Sequence, residues 1–229
     1  MSTIPSRIAT RVRRDGLRLA ARYYVSAVKD GLHYLAYDRH WDRFEAKRTS
    51  GAVDVRVDDL LGPVPVDEYR RYHAFPRLPL LWAIKALRID TSRFTFIDYG
   101  SGRGRMLLTA ARLPFTKIIG VEFSRSLHDE ALQNIVHYPK EKLYSSDIES
   151  HRTNAVDFVP PGNFVAFFFN PFAHEIVDRV ADQLEAAARR STLPSFVIFA
   201  NTKRLRLFVD RPAFRRIAIP ALLKPDLQP

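Results

Sequence analysis

The 229-residue chain has no cysteine, two methionines and only nine glycines. Without a thiol there can be no disulfide, no thiolate metal ligand and no cysteine nucleophile, a composition that fits a reducing compartment, so the expected location is cytoplasmic. No apolar run approaches the roughly 18 residues that a membrane-spanning helix requires. The N-terminus also lacks the apolar centre of a secretory signal. The seven histidines, at positions 33, 40, 73, 128, 137, 151 and 174, form no HxxxH or HExxH pair and do not sit among clustered carboxylates. No metal site is expected.

What is present suits one globular domain with an N-terminal extension, since 46% of the residues are apolar and the length allows a sizeable core. The net charge of +11 is unevenly placed. Residues 1–48 carry 11 basic and 5 acidic side chains, residues 49–202 carry 18 of each, and residues 203–229 carry 7 and 2. The excess therefore lies at both ends, where an anionic partner would be met, RNA ahead of an acidic membrane surface because arginine dominates. Residues 17–35 repeat apolar side chains at helical spacing beside Arg14, Arg18, Arg22 and Lys29. This pattern describes a basic amphipathic helix, either packed on the domain or facing a membrane or nucleic acid. The arginine-rich start would equally describe an organelle targeting segment.

Residues 47–66 read as a connector with a small strand or hairpin, and residues 76–87 as a helix. A regular alternation follows. Strands are expected at 94–98, 117–122, 142–147, 164–169 and 195–200. Helices are expected at 105–113, from about 127 to 135, and from 176 to 187, the second capped by Ser124 or by a Ser126–Asp129 capping box. Lys203 to Ile219 leaves room for a short helix and one more strand. Strands alternating with helices imply an α/β fold, a doubly wound and mostly parallel sheet with helices on both faces. The extension and connector are expected to span residues 1–66 and the main domain residues 67–229.

Three of the nine glycines fall within five residues, in Asp98-Tyr99-Gly100-Ser101-Gly102-Arg103-Gly104. In a doubly wound sheet a loop following the first strand lies where ligands bind. Glycine there permits positive φ and close approach by a ligand, and the free N–H groups opening the next helix would face an anionic group. A nucleoside triphosphate loop would need GxxxxGK followed by Ser or Thr, and this loop has no lysine. A dinucleotide fingerprint, GxGxxG, would place a third glycine where Arg105 stands, and a long side chain there argues against NAD.

The Asp98-to-Gly104 pattern resembles the first motif of class I S-adenosylmethionine-dependent methyltransferases. Further features of that family fall in order: Glu122 ending the second expected strand, Asp147-Ile148 after the third, and Asn170-Pro171-Phe172 after the fourth. The resemblance covers roughly residues 72–202. It implies a Rossmann-like fold and S-adenosyl-L-methionine as cofactor, held by Asp98, Tyr99, Gly100, Gly102, Gly104, Glu122, Phe123, Asp147 and Ile148. Glu122 would take the ribose hydroxyls, and Asp147 and Ile148 the adenine.

Asn170, Pro171 and Phe172 resemble, with one proline fewer, the substrate motif of amino-group methyltransferases. They imply an amine acceptor on a protein, an RNA or a small molecule. The glycine segment and Val121-Glu122-Phe123-Ser124 are also similar to Dot1-type lysine methyltransferases. The aromatic stretch Tyr69, Tyr72, His73 and Phe75 lies where many relatives fold a cap, and packing on the domain would explain it equally. The alternative function is an inactive methyltransferase-like module that binds through its basic ends.

Overall fold

The computed structural model describes residues 38–44, 49, 52–53, 60, 72–169, 174–200 and 206–217. The basic amphipathic stretch at 17–35 and most of both charged ends lie outside these residues, as do Tyr69 and Asn170-Pro171-Phe172. In chain order the elements are α1 (Arg39–Phe44), β1 (Ala52–Val53), β2 (Tyr72–His73), α2 (Arg77–Leu87), β3 (Thr95–Tyr99), α3 (Arg105–Ala110) and β4 (Lys117–Glu122). They continue with α4 (Arg125–His137), β5 (Ile148–Arg152), β6 (Phe164–Phe168), α5 (His174–Arg189), β7 (Phe196–Phe199) and α6 (Arg206–Val209). Among the described residues no helix is long and apolar enough to cross a membrane.

Five strands form one sheet in the order β5-β4-β3-β6-β7, and every pairing in it is parallel. Position in the sheet explains the composition of each strand. β3 and β6 are central and buried along their whole length. A strand covered on both faces must be apolar throughout, and Phe-Val-Ala-Phe-Phe in β6 is. Alternate side chains of β3 serve opposite faces: Phe96 joins Ile118, Val165, Phe167 and the residues of α2 and α3, whereas Ile97 and Tyr99 join Phe168 and the α5 residues Val177, Val180 and Leu184. The expected doubly wound α/β architecture is thus observed, with a hydrophobic core on each face.

The third strand departs from expectation. It spans Ile148–Arg152 rather than 142–147, and Ile118 and Glu122 of β4 lie opposite Ile148 and Arg152. The segment expected to be a strand instead follows a 3-10 turn at Lys140–Lys142. Its Tyr144 and Ser145 N–H groups donate to the Ala111 carbonyl, at 2.8 and 3.1 Å, which ties it to the end of α3 and not to a ladder. The true strand, Ile-Glu-Ser-His-Arg, is only half-buried at the sheet edge. An edge strand needs no apolar run, which is why its pattern did not mark it.

α3 ends at Ala110, three residues before the expected 113, other boundaries shift by two residues at most, and α4 is capped by Ser124, whose hydroxyl accepts from the Leu127 N–H at 3.4 Å. The small strand expected in the connector is β1, but its antiparallel partner is β2, well beyond residue 66. No strand follows α6 within residues 210–217.

Residues 38–44 and Thr49 pack on this domain. Trp41 is buried and its indole N–H donates to the Tyr138 hydroxyl at 3.1 Å. The Arg77 and Arg105 guanidinium groups lie over the Trp41 ring, 4.3 and 4.9 Å from its centroid.

Gly120 in β4 shows how closely α3 lies on the sheet. A Cβ at Gly120 would come within 2.7 Å of both Leu107 Cδ1 and Ser101 Oγ. Gly120→Ala is therefore expected to destabilise the fold by about 1–3 kcal/mol, the usual range for overpacking a filled core. Urea denaturation of the two proteins measures the difference.

Candidate cofactor site

The sheet order reverses at β3: the chain runs from β3 to β4 on one side and returns to β6 on the other. This is the topological switch point, and ligands of such sheets bind outside the carboxyl ends of the strands beside it. Tyr99 ends β3 there, and the glycine loop follows. Gly100, Gly102 and Gly104 have φ of +78°, +51° and +78°, a region that side-chain-bearing residues rarely adopt. The three glycines are thus needed for backbone conformation.

The loop is fastened from several directions. The N–H groups of Gly100 and Ser101 donate to the Val121 carbonyl at 2.9 and 3.1 Å. Gly102 N–H donates to Glu122 Oε2 at 2.8 Å, and Ser124 N–H donates to Glu122 Oε1 at 2.9 Å. Arg103 pairs with Glu130 of α4 at 2.9 Å, and Asn134 donates to the Arg103 carbonyl at 2.9 Å. Gly104 closes on the same helix, where an added Cβ would meet Ala131 Cβ at 3.3 Å.

Asp98 and Glu122 are each 3% exposed. Burial pushes the Asp98 carboxyl well above the ordinary carboxylate range, and the neighbouring Glu122 charge adds to it. Burial also raises Glu122, opposed by backbone N–H groups of Ser124, Gly102 and Phe123 that favour its ionised form. Tyr99 is fully buried, stacked on Phe168 with ring centroids 4.7 Å apart, and its hydroxyl has no hydrogen-bond partner among the described residues. Phe123 packs against the same cluster. The strand end and loop therefore bring together Asp98, Tyr99, Gly100, Gly102, Gly104, Glu122 and Phe123.

Asp147 and Ile148 are not brought to this group. They stand at the amino end of β5, where the Asp147 carbonyl accepts from Ile118 N–H at 2.9 Å and Lys117 pairs with Asp147 and Glu149 at 3.9 and 2.5 Å. Lys117 and Glu122 are opposite ends of β4, so roughly 16 Å of extended strand separates the two regions, at about 3.3 Å per residue. The residues at the carboxyl end of β5 are Thr153, Asn154 and Ala155. Thr153 N–H donates to the Glu122 carbonyl at 3.0 Å, and Asn154 turns the chain by accepting from Val156 N–H at 3.2 Å. The sequence reading missed them because it ended the third strand five residues early.

Two further residues stand beside the loop. Arg105 is 3% exposed and bonded to Asp38, Asp42 and Thr49, and the Tyr72 ring lies on Gly102. The acceptor-motif residues Asn170, Pro171 and Phe172 follow the end of β6 but are outside the described residues.

No protein-family model matches the sequence, and no curated protein matches it. Among solved structures, the chain is similar to an S-adenosylmethionine-dependent methyltransferase from Geobacter sulfurreducens in complex with S-adenosyl-L-homocysteine, at 25% identity and a TM-score of 0.40 over 54% of this chain. It spans 46% of that protein. It is also similar to ribosomal protein L11 methylase from Lactobacillus delbrueckii subsp. bulgaricus, at 21% identity and a TM-score of 0.41, covering 61% of this chain and 70% of the other.

The buried carboxyl pair makes a testable electrostatic statement. A carboxyl whose pKa is raised by folding binds its proton more tightly in the native state, so stability falls as pH rises from the ordinary carboxylate range through the raised value. Asp98→Asn is expected to flatten that decline and to raise stability at neutral pH relative to the parent, as read from urea midpoints at several pH values.

In strand order, helix placement and the glycine loop at its switch point, the chain has a doubly wound, Rossmann-like α/β fold.

Proposed function

We propose that the protein is an S-adenosylmethionine-dependent methyltransferase acting on an amine nitrogen. The observation that carries this reading is the pairing of Glu122 with the glycine loop. A buried carboxylate at the end of β4 accepts from the backbone of a turn with glycine at three of its five positions, at the switch point of the sheet. The residues fit the cofactor in kind. Carboxylate oxygens suit the two hydroxyls of a ribose, and glycines at positive φ leave the space that the rest of the molecule needs. When bound, the cofactor supplies a methyl group already activated by a sulfonium, so the protein's contribution is position and electrostatics.

Within this reading Glu122 holds the ribose, and Asp98 shapes the loop. Phe123 lies beside the adenine, with Asn154 and Ala155 in the place first given to Asp147 and Ile148. Asn154 has a carboxamide that can both donate to and accept from a nucleobase edge. Asn170 and Phe172 are assigned to the acceptor: the Asn170 oxygen would accept a hydrogen of the target nitrogen and the Phe172 ring would pack on it. Residues 67–229 would form the catalytic domain, and the basic ends would meet an anionic acceptor such as RNA. No nucleophilic side chain is required.

Calorimetric titration with S-adenosylhomocysteine tests the reading. Glu122→Ala is expected to weaken binding by about 1.5–3 kcal/mol, the range for hydrogen bonds to a charged group, with the fold retained. Equal affinity in a folded variant would remove Glu122 from the site. Asn170→Ala is expected to lower turnover with little change in cofactor affinity, as an interaction made mainly in the transition state requires. Unchanged turnover would return Asn170 to a turn-forming role.

A further inference from the structure

Tyr72 stands on the face of the glycine loop with no gap beneath it. A Cβ built on Gly102 would lie 2.3 Å from Tyr72 Cε2 and 2.5 Å from Cδ2. The ring is therefore in direct contact with the Gly102 backbone, and nothing can lie between them. The Tyr72 hydroxyl donates to the Thr49 carbonyl at 2.6 Å. The Arg103 guanidinium lies 5.5 Å from the ring centroid on the loop side.

Thr49 is itself held. Arg105 Nη1 donates to Thr49 Oγ1 at 3.1 Å and to Asp42, Arg105 Nη2 pairs with Asp38 at 3.3 Å, and Arg105 Nε donates to the Phe75 carbonyl at 3.0 Å. Arg105 opens α3, directly after the glycine loop. One buried guanidinium thus ties Asp38, Asp42 and Thr49, and the chain just beyond Tyr72, to the helix that follows the loop. The planar fork of arginine, with five donors and no acceptor, can serve all these oxygens at once.

We propose that Tyr72 is a gate on the cofactor loop, and that Arg105, acting through Thr49, positions it in the closed state. The inference rests on the assignment of the loop to S-adenosylmethionine. Rotation of the Tyr72 side chain away from Gly102 breaks its bond to Thr49, so the open state is the minor one in the free protein. A ligand that needs the Gly102 face binds at a rate scaled down by the fraction of open molecules. Arg105 makes no contact with the ligand in this scheme. It sets the opening equilibrium by fixing the carbonyl that Tyr72 holds.

Stopped-flow or surface-bound kinetics with S-adenosylhomocysteine reads the gate without any acceptor. Three variants are compared with the parent: Tyr72→Ala removes the ring, Tyr72→Phe removes only the bond to Thr49, and Thr49→Val removes the hydroxyl that Arg105 holds. Tyr72→Ala is expected to associate on the order of ten-fold faster, with Tyr72→Phe and Thr49→Val between it and the parent. Tyr72→Phe keeps the ring's packing and so reports even if Tyr72→Ala fails to fold. Association at the parental rate in Tyr72→Phe and Thr49→Val would overturn the gate. So would unchanged association with faster dissociation, since that result makes Tyr72 a direct ligand contact. A parent protein that does not bind S-adenosylhomocysteine at all would overturn the methyltransferase reading and the gate with it.

Discussion

The Glu122 carboxylate, almost wholly removed from water, is the constraint around which the site is arranged. A buried charge is tolerated only when its lone pairs are occupied, and backbone donors on both sides of Glu122 occupy them. Gly102 supplies one from the loop and Ser124 one from the start of α4. The same carboxylate therefore sets the height of the loop over β4 and the point where α4 begins. Asp98, one strand away, responds to the same shortage of water by holding its proton more tightly. Two acidic groups within one dry corner would repel strongly if both were ionised. The site consequently concentrates polar chemistry at the carboxyl end of the sheet's apolar central strands.

How much of this could be read from the sequence depended on how directly burial was written into each segment. Phe164–Phe168 declares itself, because a central parallel strand must be apolar on both faces. α5 does too: Ile176, Val180, Leu184 and Ala187 mark its stripe, although the buried residue at the start is Val177 and not Ile176. β5 does not. Ile-Glu-Ser-His-Arg forms an edge strand through backbone pairing with β4, and its side chains carry no pattern that distinguishes it from a loop. Ending that strand five residues early put Asp147 and Ile148 at its carboxyl end, whereas they stand at its amino end. The glycine loop and Glu122 were legible because positive φ and a strand-ending carboxylate leave few alternatives for residue type.

Arg105 marks a different kind of limit. From sequence alone it was informative only as a side chain standing where a dinucleotide loop would have glycine. Its partners Phe75, Thr49 and Asp42 lie 30 to 63 residues away along the chain, Asp38 lies farther still, and no local spacing connects them. Such a buried fork is costly to desolvate and strongly destabilising to break. It adds less to net stability than to the choice of one arrangement over others. Tyr72 belongs to the same set, since its significance arises only where its ring meets Gly102.

The two edges of the sheet are chemically unlike. Along β5, Glu149 pairs with Lys117 and His151 at 2.5 and 2.7 Å, so another strand approaching that side would have to strip water from alternating charges. At the opposite edge β7 presents Phe-Val-Ile-Phe, half-buried, with no second neighbour among the described residues. Unpaired apolar edges template the addition of further strands, while charged ones discourage it. Among the described residues, then, the Phe196–Phe199 side is the edge open to a further strand, and the polar margin of β5 is the one that resists it.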